Sequence, residues 1–180
     1  AVVNLIGVLH SQGRQNFQSV HVEGAARIAN AASLASVKRL IHISAIGADH
    51  NATSKYAQTK GLGESVVREV FPNVTILRPS IVFGPDDNFF NKFGALARIL
   101  PFLPVFFTFG QKLKFRFEGL YLIPKIEAGT TLFQPVYVGD VEEAIVSTLF
   151  THSEASQGKI YELGGPTVYS YRELMQTITK

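Results

Sequence analysis

The first nine residues, AVVNLIGVL, hold a single polar side chain, Asn4. Such a run suits a strand covered on both faces, the situation a parallel sheet creates. The rest of the chain alternates. Residues 17–34 carry Val22, Ala25, Ala26, Ala29 and Ala32 at helical spacing. Residues 39–46 (RLIHISAI) read as a second strand, and 54–71 as a helix stopped by Pro72. Residues 74–83 hold a third strand with Arg78-Pro79 near its end, and 89–100 look helical. A short strand, QPVYV, is expected at 134–138. Asp140 is then expected to cap a helix through Phe150, with Glu143 completing a capping box. KIYEL, 159–163, is a further strand, and Ser170 with Glu173 gives a second capping box before a last helix. Alternation of this kind predicts βαβ units with right-handed crossovers, hence an α/β fold on a parallel sheet.

Composition narrows the function. Among 180 residues, 17 Lys and Arg face 14 Asp and Glu, and 46% are hydrophobic, which is globular rather than disordered. The absence of Cys excludes disulfides and thiolate metal sites. His10, His21, His42, His50 and His152 show no metal-ligand spacing, so no metal is expected. The positive charges form no dense block, so nucleic-acid binding is not indicated. The most apolar stretch, 93–109, contains Arg98, Pro101 and Pro104 and is short for a bilayer span of about 20 residues.

In a parallel α/β sheet the ligand site lies beyond the carboxyl ends of the strands. Asn4 to Gly7, Ser44 and the loop from Arg78 to Gly84 fall on that rim. Tyr56-Ala57-Gln58-Thr59-Lys60 is Y-x-x-x-K on a helix, an i, i+4 pair on one face. A neighbouring cation is expected to lower the phenol's pKa and fit it for general acid–base work. Ser44, at the end of the preceding strand, is positioned to bind a substrate oxygen. Plainer readings stand beside these. Asn4 serves equally as a satisfied core polar group, Ser44 as a strand-end cap, and Tyr56 and Lys60 as a half-buried phenol beside a surface amine. Arg78 suits a structural corner paired to a carboxylate. Asp140 reads as a helix cap, and Asp86-Asp87 as a solvated loop pair.

With these blocks assembled, the sequence resembles the atypical extended short-chain dehydrogenase/reductase family. Within it, the resemblance is to the NDUFA9-like group, an accessory subunit of respiratory complex I and its bacterial relatives. The resemblance is carried by VNLIG (3–7), NFQSVHVEGAARIANAA (16–32), VKRLIHISAIGAD (37–49), SKYAQTKGLGE (54–64), ILRPSIVFGPDDNFFNKF (76–93), QPVYVGDVEEAI (134–145) and IYELGGPTVYSYRELM (160–175). It implies a Rossmann-like, doubly wound parallel sheet. No G-x-G-x-x-G turn follows any strand here, so the chain is expected to be an internal segment of a longer protein. The first β-α units and the C-terminal end would lie outside it. On that frame, 1–110 is a partial NAD(P)-binding domain, 111–128 an insertion, and 129–180 the remaining strands and the start of a small C-terminal region.

The resemblance also implies a ligand and its holders. NADP(H) is favoured over NAD(H). Asn4, Leu5, Ile6 and Gly7 are expected to line its adenosine and ribose side, Tyr56 and Lys60 to reach the nicotinamide ribose, and Pro79, Ser80 and Ile81 to pass beside the nicotinamide, with Ser44 on the same rim. Family members in complex I imply a nucleotide-holding, non-catalytic role in assembly or stability, among other complex I subunits, on the matrix side of the mitochondrial inner membrane. A bacterial, cytoplasmic setting is the alternative. If catalysis survives, Ser44, Tyr56 and Lys60 would carry it, in an NAD(P)-dependent epimerase, dehydratase or reductase; a redox-sensing regulator is a third option. Ala45 stands where active extended members often have a second Ser, which would weaken turnover.

The insertion is basic and aromatic. Lys112, Lys114, Arg116 and Lys125 alternate with Phe115, Phe117, Leu120, Tyr121 and Leu122. An exposed excursion or a β-hairpin around Glu118-Gly119 is expected. The composition also suits contact with a membrane surface, through Phe102–Ile126, or with a partner groove.

Overall fold

A computed structural model describes residues 1–87, 114–118, 121–125, 132–151 and 154–178. It divides into two compact units. Ala1–Ser80 and Val136–Gly164 form the first; Ile81–Pro135 and Gly165–Lys180 form the second.

In the first unit β1 (Val2–Asn4) leads to a π-helical segment, Gln18–Gly24, that runs directly into α1 (Ala25–Leu34). Then come β2 (Leu40–Ile43), α2 (Lys55–Val70), β3 (Thr75–Pro79), α3 (Val138–Val146) and β4 (Ile160–Leu163). The four strands form one parallel sheet in the order β1-β2-β3-β4. The fold is the expected α/β arrangement, a parallel sheet with helices.

Register explains the packing. Asn4 lies opposite His42, His42 opposite Ile76, and Arg78 opposite Glu162. Side chains alternate faces along a strand. Val2, Leu40 and Ile76 therefore share one face, and there they join Ala25, Ala29, Val67 and Val74 in the core. The small residues of α1 let it sit close to the sheet. Further along the same face the strands turn polar, through Asn4, His42 and Arg78. The core thus ends in a polar layer directly beneath the carboxyl ends of the strands.

β1 is shorter than the apolar run suggests. The strand stops at Asn4 because its Oδ1 accepts the Ile6 amide at 3.1 Å, an Asx turn that bends the chain away. Leu5, Ile6 and Leu9 are exposed. The helix expected over 17–34 is continuous, but its first part is π-helical rather than α-helical.

Asp140 is not a cap. Helix α3 begins at Val138 with Tyr137 in the N-cap position and no side-chain cap. Asp140 falls in the first turn, where its charge complements the helix dipole instead.

In the second unit, strands Lys114–Glu118 and Tyr121–Lys125 pair antiparallel, with Glu118 opposite Tyr121. This is the expected hairpin. Leu132–Phe133 pairs antiparallel with Tyr169–Ser170, which leads into α4 (Tyr171–Ile178). The Ser170–Glu173 capping box is present. Ser170 donates to Glu173 Oε2 from its amide at 2.8 Å and from its hydroxyl at 2.7 Å, and Glu173 N donates back to Ser170 Oγ at 3.3 Å. The helix expected at 89–100 and most of the 102–126 stretch lie outside the described residues. Among the described residues no helix is long and apolar enough to cross a membrane.

Candidate functional site

Two glycines bring α2 into place. A Cβ on Gly63 would lie 2.2 Å from the His21 carbonyl oxygen, and one on Gly61 would lie 2.6 Å from the His50 amide nitrogen. Only glycine permits both approaches. The first seats α2 against the π-helical segment and the second against the loop after β2. Together they fix where Tyr56 and Lys60, on the first turns of α2, point.

Lys60 is 5% exposed, and its Nζ donates to the Ile43 carbonyl at the end of β2 at 2.9 Å. A Cβ built on Gly7 would lie 3.9 Å from Nζ and 3.8 Å from His21 Nε2. The amine therefore sits beneath the loop that follows β1. Burial lowers its pKa to about 8, against a smaller opposite pull from Glu64. Ser44 follows Ile43 directly. It is 5% exposed, and its Oγ has no hydrogen-bond partner among the described residues. Buried hydroxyls are normally satisfied, so this orphan makes Ser44 a candidate ligand contact.

Tyr56 is half-buried, its ring edge-on to His21 at 5.4 Å and to Phe17 at 5.9 Å. Burial raises its pKa, the reverse of the lowering expected from a neighbouring cation. The reason is geometric: Lys60 is turned to the Ile43 carbonyl. The i, i+4 spacing puts both groups on one face, as expected, without pairing them.

The remaining expected residues divide. Asn4 is buried and works as a core polar group: its Nδ2 donates to His42 Nδ1 at 3.0 Å. Leu5 and Ile6 project outward from the loop. Pro79, buried at the end of β3, accepts the Ile46 amide at 3.1 Å, and the Ser80 amide donates to Leu163 at 2.9 Å. Ile81 belongs to the second unit. Asn4, Gly7, Ser44, Tyr56, Lys60, Pro79 and Ser80 thus all lie at the strands' carboxyl ends in one unit.

Arg78 has the structural role weighed for it. Its Nε and Nη2 reach Glu64 Oε1 and Oε2 at 2.9 and 2.7 Å, and Nη1 lies 3.5 Å from Glu162. An open cavity of about 240 Å³ lies beside this pair, lined by Asp49, Glu64, Ser65, Arg68 and Arg78, and contains none of the expected site residues.

Sequence reasoning missed two histidines. His21 is 3% exposed. Its Nδ1 lies 3.0 Å from Thr59 Oγ1, and its Nε2 lies 3.2 Å from the Val8 amide nitrogen and 3.1 Å from the Val8 carbonyl oxygen. His42 is 2% exposed, with its pKa pushed down to about 3 by burial, then by Lys60 and His21. Helical and strand periodicity predicted elements through both positions. Neither pattern names a partner 38 residues away.

Comparison with known proteins finds relatives among the subunits of complex I. The chain is 33% identical over 179 residues to the NADH-ubiquinone oxidoreductase 40 kDa subunit of Neurospora crassa, covering 99% of this chain and 41% of that protein. It is 33% identical over 178 residues to the mouse NADH dehydrogenase [ubiquinone] 1 alpha subcomplex subunit 9, covering 98% and 41%. Over nearly its whole length the chain is homologous to these NDUFA9-type subunits. It spans about two-fifths of the length of these relatives. No family model matches. A ceramide reductase of Caulobacter vibrioides is 33% identical over 103 residues, 57% of this chain and 32% of that protein. Among solved structures, a dTDP-4-dehydrorhamnose reductase of Clostridium acetobutylicum superposes with a TM-score of 0.71 at 15% identity, covering 98% of this NDUFA9-like chain and 59% of that one. A UDP-glucuronic acid 4-epimerase of Bacillus cereus, solved with UDP-glucuronic acid and NAD, gives 0.65 at 20%, covering 97% and 56%. These last two establish the Rossmann-like fold.

Proposed function

We propose that this chain is part of an accessory subunit of mitochondrial NADH:ubiquinone oxidoreductase. Its role is to hold a nicotinamide dinucleotide as a structural ligand. One observation carries the reading: a buried ammonium, Lys60, lies under the Gly7 loop on the Ile43 carbonyl, and the next residue, Ser44, has a buried hydroxyl without a partner among the described residues. A ribose offers the hydroxyls that an ammonium and a hydroxyl would bind, at the strand ends where such sheets hold their ligands. Tyr56, Lys60 and Ser44 would contact the nicotinamide ribose side. Leu5, Ile6 and Gly7 would flank the adenosine side above the buried Asn4, and Pro79 and Ser80 would pass the nicotinamide. NADP(H) is favoured over NAD(H) on the family resemblance. The match to complex I subunits over nearly all of this chain supports other subunits of that complex as partners and a mitochondrial location, and the matrix-side, peripheral position rests on the family resemblance. Contact with the membrane surface through Phe102–Ile126 rests on composition.

A bound nucleotide stabilises a fold by RT ln(1 + [L]/Kd), so a non-catalytic site can still govern assembly. The test is affinity purification of the tagged protein from its own cells. Co-elution with rotenone-sensitive NADH:ubiquinone activity and extractable dinucleotide is expected, with the identity of the dinucleotide read from the extract. A free monomer without nucleotide would overturn the proposal.

A second reading is favoured by the complete Ser44, Tyr56 and Lys60 set and by the ceramide reductase match: a working NAD(P)-dependent reductase, epimerase or dehydratase. Tyr56 would then move the proton while the dinucleotide supplies or accepts hydride. Substrate-dependent change in nicotinamide absorbance, abolished by Tyr56→Phe, would establish it. No such change with lipid-ketone or nucleotide-sugar substrates would remove it.

A further inference from the structure

The loop after β1 is held at both ends by a buried imidazole. At its start, Asn4 Oδ1 is committed to the Ile6 amide at 3.1 Å, so the Asn4 amide nitrogen must face His42. His42 Nδ1 therefore accepts, and the ring proton sits on Nε2. The histidine fixes the amide, and the amide fixes the Ile6 N–H. At the loop's end the chemistry is again determined by a committed partner. Thr59 Oγ1 donates to the Lys55 carbonyl at 2.8 Å, so toward His21 it accepts. His21 then carries its proton on Nδ1 and offers the bare Nε2 to the Val8 amide at 3.2 Å. Were the ring protonated, Nε2 would face the Val8 carbonyl at 3.1 Å as a donor. Either state ties Val8 to α2.

His21 has a second task. Its ring lies against Phe17 at 5.4 Å, nearly parallel, and edge-on to Tyr56 at 5.4 Å. One imidazole thus touches the loop, α2 through Thr59, and the Tyr56 ring. It projects from the π-helical segment, a widened helix form that recurs at functional sites.

We propose that His21 and His42 are positioning residues: they clamp the Leu5–Val8 loop, through Val8 and through Asn4 and Ile6, in the shape it presents to a nucleotide. Neither touches the ligand. The loop's apolar side chains, Leu5 and Ile6, are exposed, so the interior of the fold does not hold them, and the amides at 6 and 8 do.

The proposal rests on the nucleotide reading above, and its test separates the two. Amide hydrogen exchange is followed residue by residue in the full chain for wild type, His21→Phe and His42→Leu, alongside NADPH titration by fluorescence. His21→Phe keeps the ring packing and removes both nitrogens. Expected is at least tenfold faster exchange at Val8 in His21→Phe and at Ile6 in His42→Leu, with Ile41 and Leu77 unchanged, and NADPH binding weakened about five- to tenfold. Unchanged exchange at Ile6 and Val8, or an equal rise across the whole sheet, overturns the clamp. Wild type that binds no NADPH overturns the nucleotide reading, and the exchange data still decide the clamp. Should either variant fail to fold, ring-nitrogen NMR of wild type decides: protons on Nδ1 of His21 and Nε2 of His42 support it, and the opposite tautomers overturn it.

Discussion

The Arg78 guanidinium closes on both oxygens of the Glu64 carboxylate, at 2.9 and 2.7 Å, where the Glu64 side chain is 6% exposed and that of Arg78 21%. The pair ties β3 to α2, the helix that carries Tyr56 and Lys60. Removing one partner of a buried pair leaves the other charge stranded, which destabilises by about 3–5 kcal/mol. Arg78→Met is therefore expected to lower stability toward the bottom of that range, since part of the guanidinium is wetted and Glu162 lies on the exposed side. The double variant Arg78→Met/Glu64→Leu should recover most of the loss. Urea unfolding of the two variants and wild type checks it; a double variant as weak as the single one would contradict the account.

Acid sensitivity follows from the two histidines. His42 has an ordinary value of 6.5 when unfolded and about 3 when folded, chiefly because burial disfavours its charged form. Its folded pKa is depressed, so the unfolded chain takes up the proton first. The contribution is complete above pH 6.5 and is lost as pH falls from there toward 3, at up to about 1.4 kcal/mol per pH unit. His21 is lowered too, by burial and then by Lys60, and adds in the same direction. Urea midpoints should fall steadily between pH 6.5 and 4, and His42→Leu should flatten that limb. An unaltered slope in the variant would show that other groups control it.

Gly63 offers a direct test of how α2 is seated. An added methyl would meet the His21 carbonyl oxygen at 2.2 Å, and that backbone is part of a helix that cannot step aside without moving Phe17 and the Val8 contact. In an exposed helix, Gly→Ala stabilises by up to about 1 kcal/mol. Here the sign should reverse, with Gly63→Ala losing about 2 kcal/mol or more, in the range of overpacked cores. Thermal melts of the variant would settle the sign.

The sequence pattern disclosed the elements that obey a period. Residues 39–46 and 54–71 were expected as strand and helix, and β2 and α2 lie inside those bounds. The Ser170–Glu173 box was legible because all three of its hydrogen bonds join residues three apart. Asp140 misled because a box-like spacing recurs wherever an acid follows a strand, and the chain turns helical already at Val138. The opening apolar run misled differently. Hydrophobicity reports preference for burial, and Leu5, Ile6 and Leu9 are apolar residues left outside by an Asx turn. In the site, Tyr56 and Lys60 were visible as a local spacing. His21 and His42 were not, because their partners Thr59 and Asn4 are each 38 positions distant and only the fold brings them together.

Lys60 sets stability against ligand binding. Its pKa falls from 10.5 to about 8 on folding, so at neutral pH the fold carries a buried ammonium that it would rather see neutral. A depression of that size corresponds to about 3 kcal/mol of destabilisation relative to a lysine in water, as an order of magnitude. The sign gives a second signature: between pH 8 and 10.5 the folded amine is neutral while the unfolded one still binds a proton, so stability rises with pH across that window. Lys60→Met keeps the aliphatic stem and removes the charge, at the loss of one hydrogen bond to Ile43, a bond worth about 1–2 kcal/mol. The variant is therefore expected to melt no lower than wild type, to lose the alkaline rise, and to bind NADPH at least tenfold more weakly. A sharp drop in stability would mean that the amine is held there by the fold itself, and unchanged NADPH affinity would remove Lys60 from the nucleotide site.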